Sequence, residues 1–164
     1  MRAGYVYPAI VMCVLWVVLV TKMADIFAYV SGFLLGGRLF SRRLIPHISP
    51  KKTWEGFVGG IITSGVFAVI MSFAYELIDS IINGGVHTFS VNWVYLTVMA
   101  LVISGLGVVG DLSASLVKRE CSVKDFGNIL PGHGGILDRF DSVLLAAPFA
   151  YMMFQIYFPI TPIA

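Results

Sequence analysis

Charge is scarce in this sequence. Only 12% of its 164 residues are Asp, Glu, Lys or Arg, where a soluble domain carries roughly 25%. With 58% hydrophobic residues and a mean hydropathy of +0.88, that scarcity excludes an ordinary water-soluble domain and points to an integral membrane protein. Cysteine is nearly absent as well. Cys13 lies in an apolar run and Cys121 in a polar stretch, so neither a disulfide nor a thiolate metal site is expected. The N-terminus has one Arg before an apolar run that is too long for a cleaved leader and has no small-residue cleavage site. Neither G-x-x-x-x-G-K-[ST] nor H-E-x-x-H occurs, which sets aside a P-loop nucleotidase and a zincin. Gly105-Leu106-Gly107-Val108-Val109-Gly110 matches G-x-G-x-x-G, but it sits inside a membrane run instead of following a strand. Its glycines are therefore read as helix-packing positions. No nucleic-acid partner is expected.

The chain does contain long apolar runs. Tyr5–Val20 and Met23–Leu35 are read as one long helix, ended by Gly36-Gly37. Within it Lys22 and Asp25 are three apart, either a local ion pair that hides two charges or a sign that Asp25 faces a polar cavity. Phe57–Ile78 is the next span, with Gly56, Gly60 and Ser64 forming a small-residue face for close helix approach. Asn83-Gly84-Gly85 is a turn. Trp93–Val109 is a third span, with Trp93 and Tyr95 as interfacial anchors, and Val143–Phe158 is a last apolar segment containing Pro148. The fold class is all-α: a polytopic integral membrane helical bundle of about four transmembrane segments, with short cytoplasmic helices, forming one membrane-embedded domain over residues 1–164.

Two stretches break the apolar pattern. The first runs from Gly37 to Gly56 and carries Arg38, Arg42, Arg43, Lys51 and Lys52, with Pro46 and Pro50 excluding a continuous helix. It is either a topogenic loop or a phosphate-binding loop, and both readings can hold together. Ser49, Lys51, Lys52 and Thr53 place hydroxyls and ammonium groups just before a helix N-terminus, which suits an anion. The second stretch, Asp111 to Asp141, is the most polar of the chain. Two spans separate these stretches, so both lie on one side, and their Lys/Arg content places that side in the cytoplasm.

In the second stretch, Asp138 and Asp141 share a helix face, and Asp111 and Asp141 each adjoin a span whose packing could unite them. Carboxylates without a Cys or His cluster suit a hard cation, chiefly Mg2+. Lys118, Arg119, Lys124 and Arg139 stand around them, as expected of a site for a phosphate-rich substrate. Pro131-Gly132-His133-Gly134-Gly135 offers backbone N–H groups to phosphate. His133 is an acid, a phosphate donor or a structural hydrogen-bonder. Ser113 and Ser115 cap a short helix, or Ser115 touches substrate.

The pattern Ser115-x-x-Lys118-Arg119, then Lys124-Asp125-x-Gly127-x-x-Leu130-Pro131-Gly132-His133-Gly134-Gly135-x-x-Asp138-Arg139-x-Asp141, closely resembles the signature of the phosphatidate cytidylyltransferase (CDP-diacylglycerol synthase) family. Asp25-x-x-Ala28-Tyr29-x-x-Gly32 and Ser49-Pro50-Lys51-Lys52-Thr53-Trp54-Glu55-Gly56 agree with it in the same order. The resemblance covers roughly residues 20–150. It implies attack by a phosphatidate oxygen on the α-phosphorus of CTP, giving CDP-diacylglycerol and pyrophosphate. It also implies Mg2+ as cofactor, joined in some members by K+. Asp111 and Asp138 would be the leading metal ligands with Asp141 close by, and Lys124, Asp125 and His133 complete the catalytic candidates. Lys118, Arg119, Lys124 and Arg139 would hold phosphates, and Ser49–Thr53 and Ser115 would join them in binding substrate.

CTP, phosphatidic acid and membrane lipids are the implied partners, together with a second copy in a homodimer. The implied location is the bacterial inner membrane, with the site facing the cytoplasm. Ala114 stands where many relatives carry a carboxylate. Family members carry further N-terminal transmembrane helices, which are expected to be absent here. The rival readings are a CTP-dependent polyprenol-type lipid kinase, releasing CDP instead of pyrophosphate, and a non-enzymatic transporter or scaffold, whose charges would spread through the membrane depth.

Overall fold

The computed structural model describes residues 6–36, 43–45, 48–82, 92–123, 125–127 and 135–157. The Asn83-Gly84 turn, Lys124 and the Pro131–Gly134 segment with His133 lie outside these, as does the side chain of Lys51. Helix α1 (Val6–Leu35) is followed by two short strands, β1 (Arg43–Ile45) and β2 (Ser49–Thr53). Helices α2 (Trp54–Ile82), α3 (Trp93–Glu120) and α4 (Leu137–Tyr157) complete the chain.

The long first helix is continuous, as expected, and Thr21 shows how a polar residue survives inside it. Its Oγ1 donates to the carbonyls of Val17 at 2.9 Å and Val18 at 3.0 Å, so a buried hydroxyl is satisfied by its own helix. Thr63, Ser64, Ser72, Thr97 and Ser104 do the same. In a lipid-facing bundle this internal satisfaction is what makes hydroxyl residues tolerable.

Helix α1 lies along α2 through small residues. A Cβ on Gly56 would come within 2.6 Å of the Ala28 carbonyl, and one on Gly60 within 2.9 Å of the Ala24 carbonyl. The glycine face expected for packing is therefore an interface at which backbone meets backbone. The buried interior is slim: Val17, Val20, Met99, Ala100, Ile103 and Ala146 carry much of it. Around it the surface is oily, with Phe33, Ile62, Ile70, Leu77 and Ile156 all more than half exposed, an arrangement that belongs in lipid. Three helical segments, Cys13–Leu35, Trp54–Ile78 and Trp93–Glu120, are long and apolar enough to cross a membrane. Helix α4, with Pro148 inside it, is the fourth helix of the bundle and packs against α3.

Three local expectations are corrected. First, no separate short helix begins near Ser113. Nothing between Gly110 and Leu116 interrupts the ladder, so α3 runs unbroken to Glu120. Ser113 caps nothing and donates to the Val109 carbonyl at 2.8 Å, and Ser115 likewise sits in a helix interior. Second, the basic loop is an antiparallel ribbon, Arg43 opposite Thr53 and Ile45 opposite Ser49. Third, α2 starts three residues earlier than expected, at Trp54, because the Thr53 Oγ1 accepts the Gly56 N–H at 3.1 Å and caps the helix start.

Candidate active site

The polar side chains gather where the C-terminal part of α3, the first turns of α4 and the end of β2 meet. Gly110 permits that meeting: a Cβ there would lie 2.8 Å from the Asp141 carbonyl, so α4 can press its N-terminal turns directly on α3. The adjacent Asp111 and Asp141 then come into hydrogen-bonding reach of each other. Burial, reinforced by the charge of Asp111, pushes the Asp141 carboxyl up to about 6, although the Ser142 N–H and Lys118 pull the other way. Two facing carboxylates that repel each other in a poorly solvated place form a site short of positive charge.

Two lysines partly supply it. Lys52, at the end of β2, forms an ion pair with the Asp111 Oδ2. This contact also shows that the two basic stretches of the chain lie at one end of the bundle, as the topology argument required. Lys118, about two turns beyond Asp111 on α3, places its Nζ 2.9 Å from the Asp138 Oδ1 and 3.9 Å from the Asp141 Oδ2, and 5.3 Å from the centre of the Phe126 ring. Its ammonium is thus held by two carboxylates and an aromatic face.

Asp138 has a different task from its neighbours. Its Oδ2 accepts the backbone N–H groups of Phe126 and Gly135, both at 2.9 Å, while Oδ1 takes Lys118. Burial works against its ionisation, but Lys118 and the two amides outweigh burial and hold the carboxyl below the usual carboxylate range. Asp138 ties the segment after α3 to the start of α4.

The structure therefore joins Asp111, Asp141, Lys118, Asp138 and Lys52 in one chain of contacts. It pairs Asp111 with Asp141, whereas the resemblance put Asp111 and Asp138 first. Among the described residues, no three His, Cys, Asp or Glu side chains converge closely enough to hold an ion, so the Asp111–Asp141 pair is the donor set on view. That pair fits Mg2+, which is commonly held by one or two carboxylates while substrate phosphates and water fill the remaining positions. Arg119, Arg139 and Asp125 are exposed, Ser115 and Ser49 are half-buried, and Thr53 is engaged as a helix cap.

Sequence reasoning did not place Ser142 in the site, and it left the role of Lys22 and Asp25 open. Ser142 is 1% exposed. Its Oγ donates to the Asp25 Oδ2 at 2.9 Å and lies 3.3 Å from the Lys22 Nζ, which is itself 3.4 Å from the Asp25 Oδ2. The available signals were the i,i+3 pair on α1 and the position of Ser142 directly after Asp141.

Comparison with known proteins identifies the family. The pattern of the cytidylyltransferase family matches residues 8–157. The phosphatidate cytidylyltransferase of Rickettsia bellii (strain RML369-C) is 40% identical over 146 residues, 88% of this chain and 56% of that protein. The one from Bacillus subtilis (strain 168) is 42% identical over 127 residues, 77% of this chain and 43% of that protein. The one from Staphylococcus haemolyticus (strain JCSC1435) is 41% identical over 135 residues, 82% and 46% respectively. The chain spans about half the length of the curated relatives it matches. With the family pattern running through all four helices and across every charged contact described above, the chain belongs to the cytidylyltransferase family.

Proposed function

We propose that this chain carries the catalytic centre of a phosphatidate cytidylyltransferase of the bacterial inner membrane, open to the cytoplasm and acting on CTP and phosphatidic acid. The observation that carries the reading is the meeting of Asp111 and Asp141, from two helices, between the ammonium groups of Lys52 and Lys118.

In the proposed reaction a phosphatidate phosphate oxygen attacks the α-phosphorus of CTP. The bond from that phosphorus to the β-phosphate oxygen breaks, and pyrophosphate leaves with the electron pair. Both the nucleophile and the leaving group belong to the substrates, so the protein's contribution is placement and charge. Asp111 and Asp141 would hold Mg2+, which supplies charge neutralisation on the phosphates. Lys52 is paired with Asp111 and Lys118 lies 3.9 Å from the Asp141 Oδ2, and both can turn to phosphate oxygens. Asp138 keeps Lys118 and the start of α4 in register with Asp111. The oily outer surface keeps the acyl chains of the lipid in the bilayer while its headgroup reaches the charged end of the bundle.

The test is transfer in phosphatidate vesicles with CTP labelled either at the α- or at the γ-phosphorus. The expected result is α-label in lipid and pyrophosphate released, abolished by Asp111→Asn and by Asp141→Asn with the protein still inserted. Label from the γ-position in lipid, with CDP released, would replace this reading with that of a lipid kinase.

A further inference from the structure

We infer that Lys22 and Asp25 of α1 act through Ser142 as a positioning unit that sets the Asp141 carboxylate for a divalent cation. The inference rests on the reading of Asp141 as a metal-holding carboxylate and adds residues to it that touch neither metal nor substrate.

Ser142 carries two links at once. Its backbone N–H donates to the Asp141 Oδ1 at 2.8 Å. Its side chain donates to the Asp25 Oδ2 at 2.9 Å, a bond that spans 117 residues of sequence. A rotation of α4 that swings the Asp141 carboxyl away therefore has to break the bond to α1. Because Ser142 takes Oδ1, Asp141 turns Oδ2 toward Lys118, 3.9 Å away. One oxygen is anchored, and the other is left for a cation.

The geometry separates this role from that of a plain ion pair on one helix. Were Lys22 and Asp25 only hiding each other's charge, their mutual contact would be the tightest of the group. It is the longest, at 3.4 Å, and the shortest contact goes to α4. Lys22 also bonds Ser142 at 3.3 Å, so the hydroxyl gives its proton to Asp25 and receives one from the ammonium, which fixes its direction. Space for this is left by α3: a Cβ on Gly107 would lie 3.7 Å from the Ser142 Cβ and 3.8 Å from the Thr21 Cγ2, so the three helices meet around the serine.

The test uses the protein in phosphatidate vesicles with two readouts: the Mg2+ half-saturation of cytidylyl transfer, and the Mg2+-induced rise in Tm without substrates. Asp25→Asn and Ser142→Ala each raise the Mg2+ half-saturation about tenfold, the usual scale for removing a hydrogen bond behind a metal ligand. At saturating Mg2+ kcat returns close to its original value, and the KM for CTP is unchanged. The double variant is no worse than either single one, because both act along one path, and Ser142→Thr, which keeps the hydroxyl, restores tight Mg2+ response. An unchanged half-saturation in Asp25→Asn, or additive losses in the double variant, would overturn the inference.

The underlying activity reading fails separately. If Mg2+ raises Tm but no transfer occurs, the Tm titration alone decides the positioning role. If the parent protein shows neither response, amide exchange at Ser142 in the metal-free protein decides it. Faster exchange in Asp25→Asn supports the anchoring, and an unchanged rate sinks it.

Discussion

Lys52 and Asp111 form an ion pair that joins the β-ribbon to α3 across the mouth of the site. A single ammonium thus does two things: it closes the ribbon onto the bundle and it offsets one member of a repelling carboxylate pair. On the proposed reading the same carboxylate would hold a divalent cation, so Lys52 and the cation would compete for Asp111, and a bound cation would free Lys52 for phosphate.

Replacing Lys52 with Met should separate these effects. Loss of a charge-assisted hydrogen bond to phosphate raises the KM for CTP by about 10- to 100-fold. Removal of the competing ammonium lowers the Mg2+ half-saturation in the same variant. Steady-state kinetics over a grid of CTP and Mg2+ concentrations reads both. A rise in both constants would show that Lys52 does not compete with the metal.

Asp138 joins Lys118 to two backbone amides, so its removal should loosen structure as well as chemistry. The side chains of the pair are 9% and 12% exposed, and breaking one partner of such a pair leaves the other charge poorly compensated. Asp138→Asn keeps an acceptor for one amide but loses the charge. It should lower Tm by roughly 5 °C and expose the segment 121–127 to protease, with transfer activity lost. Asp138→Ala should lower Tm further. Thermal unfolding in detergent and limited proteolysis check this, and an Asn variant as stable as the parent would contradict the tethering role.

Much of this architecture could be read from residue patterns, and the misses have specific physical causes. The apolar runs gave the helices because lipid demands long uninterrupted segments with satisfied backbones. The convergence of the two basic stretches followed from counting crossings. The end of α3 was misplaced because the polar residues from Asp111 onward were read as a break followed by a separate short helix, whereas a helix can run out of the apolar layer without changing conformation. The β-ribbon was missed because Pro46 and Pro50 argue against helix without arguing for strand. The meeting of Asp111 with Asp141 was foreseen from their positions beside two spans, whereas the tying of Asp138 to the Phe126 and Gly135 amides was not, because no spacing in the sequence encodes which oxygens the loop amides take.

The helix contacts make opposite predictions for two glycines. At Gly56 an added methyl meets the Ala28 carbonyl at 2.6 Å, a backbone atom that cannot move aside without parting α1 from α2. Gly56→Ala should therefore destabilise by about 1–3 kcal/mol. At Gly105 an added Cβ meets nothing within 4 Å, so Gly105→Ala should stabilise α3 by about 0.5–1 kcal/mol through lower backbone entropy in the unfolded chain. Reversible unfolding in mixed micelles measures both. Equal effects at the two positions would contradict the close approach of α1 to α2.

The Asp141 carboxyl, raised from an ordinary value of 3.8 to about 6, makes stability depend on pH in a direction unusual for an aspartate. Between those values the folded protein binds the proton more tightly than the unfolded chain, so the slope of stability against pH is negative there. The contribution is fully present below the unfolded value and is lost as pH rises through about 6. Asp138 works in the opposite sense: its carboxyl lies below the usual range, so its stabilisation is present at neutral pH and fades as pH falls through the acid range. Subtracting the Tm of Asp141→Asn from that of the parent isolates the Asp141 effect. The difference should become more negative from pH 4 to pH 7 in metal-free buffer, then shrink when Mg2+ is added at pH 7, because a cation between Asp111 and Asp141 replaces the proton that burial and repulsion had favoured. A difference that stays flat with pH would mean that the Asp141 carboxyl is not held in the buried place beside Asp111.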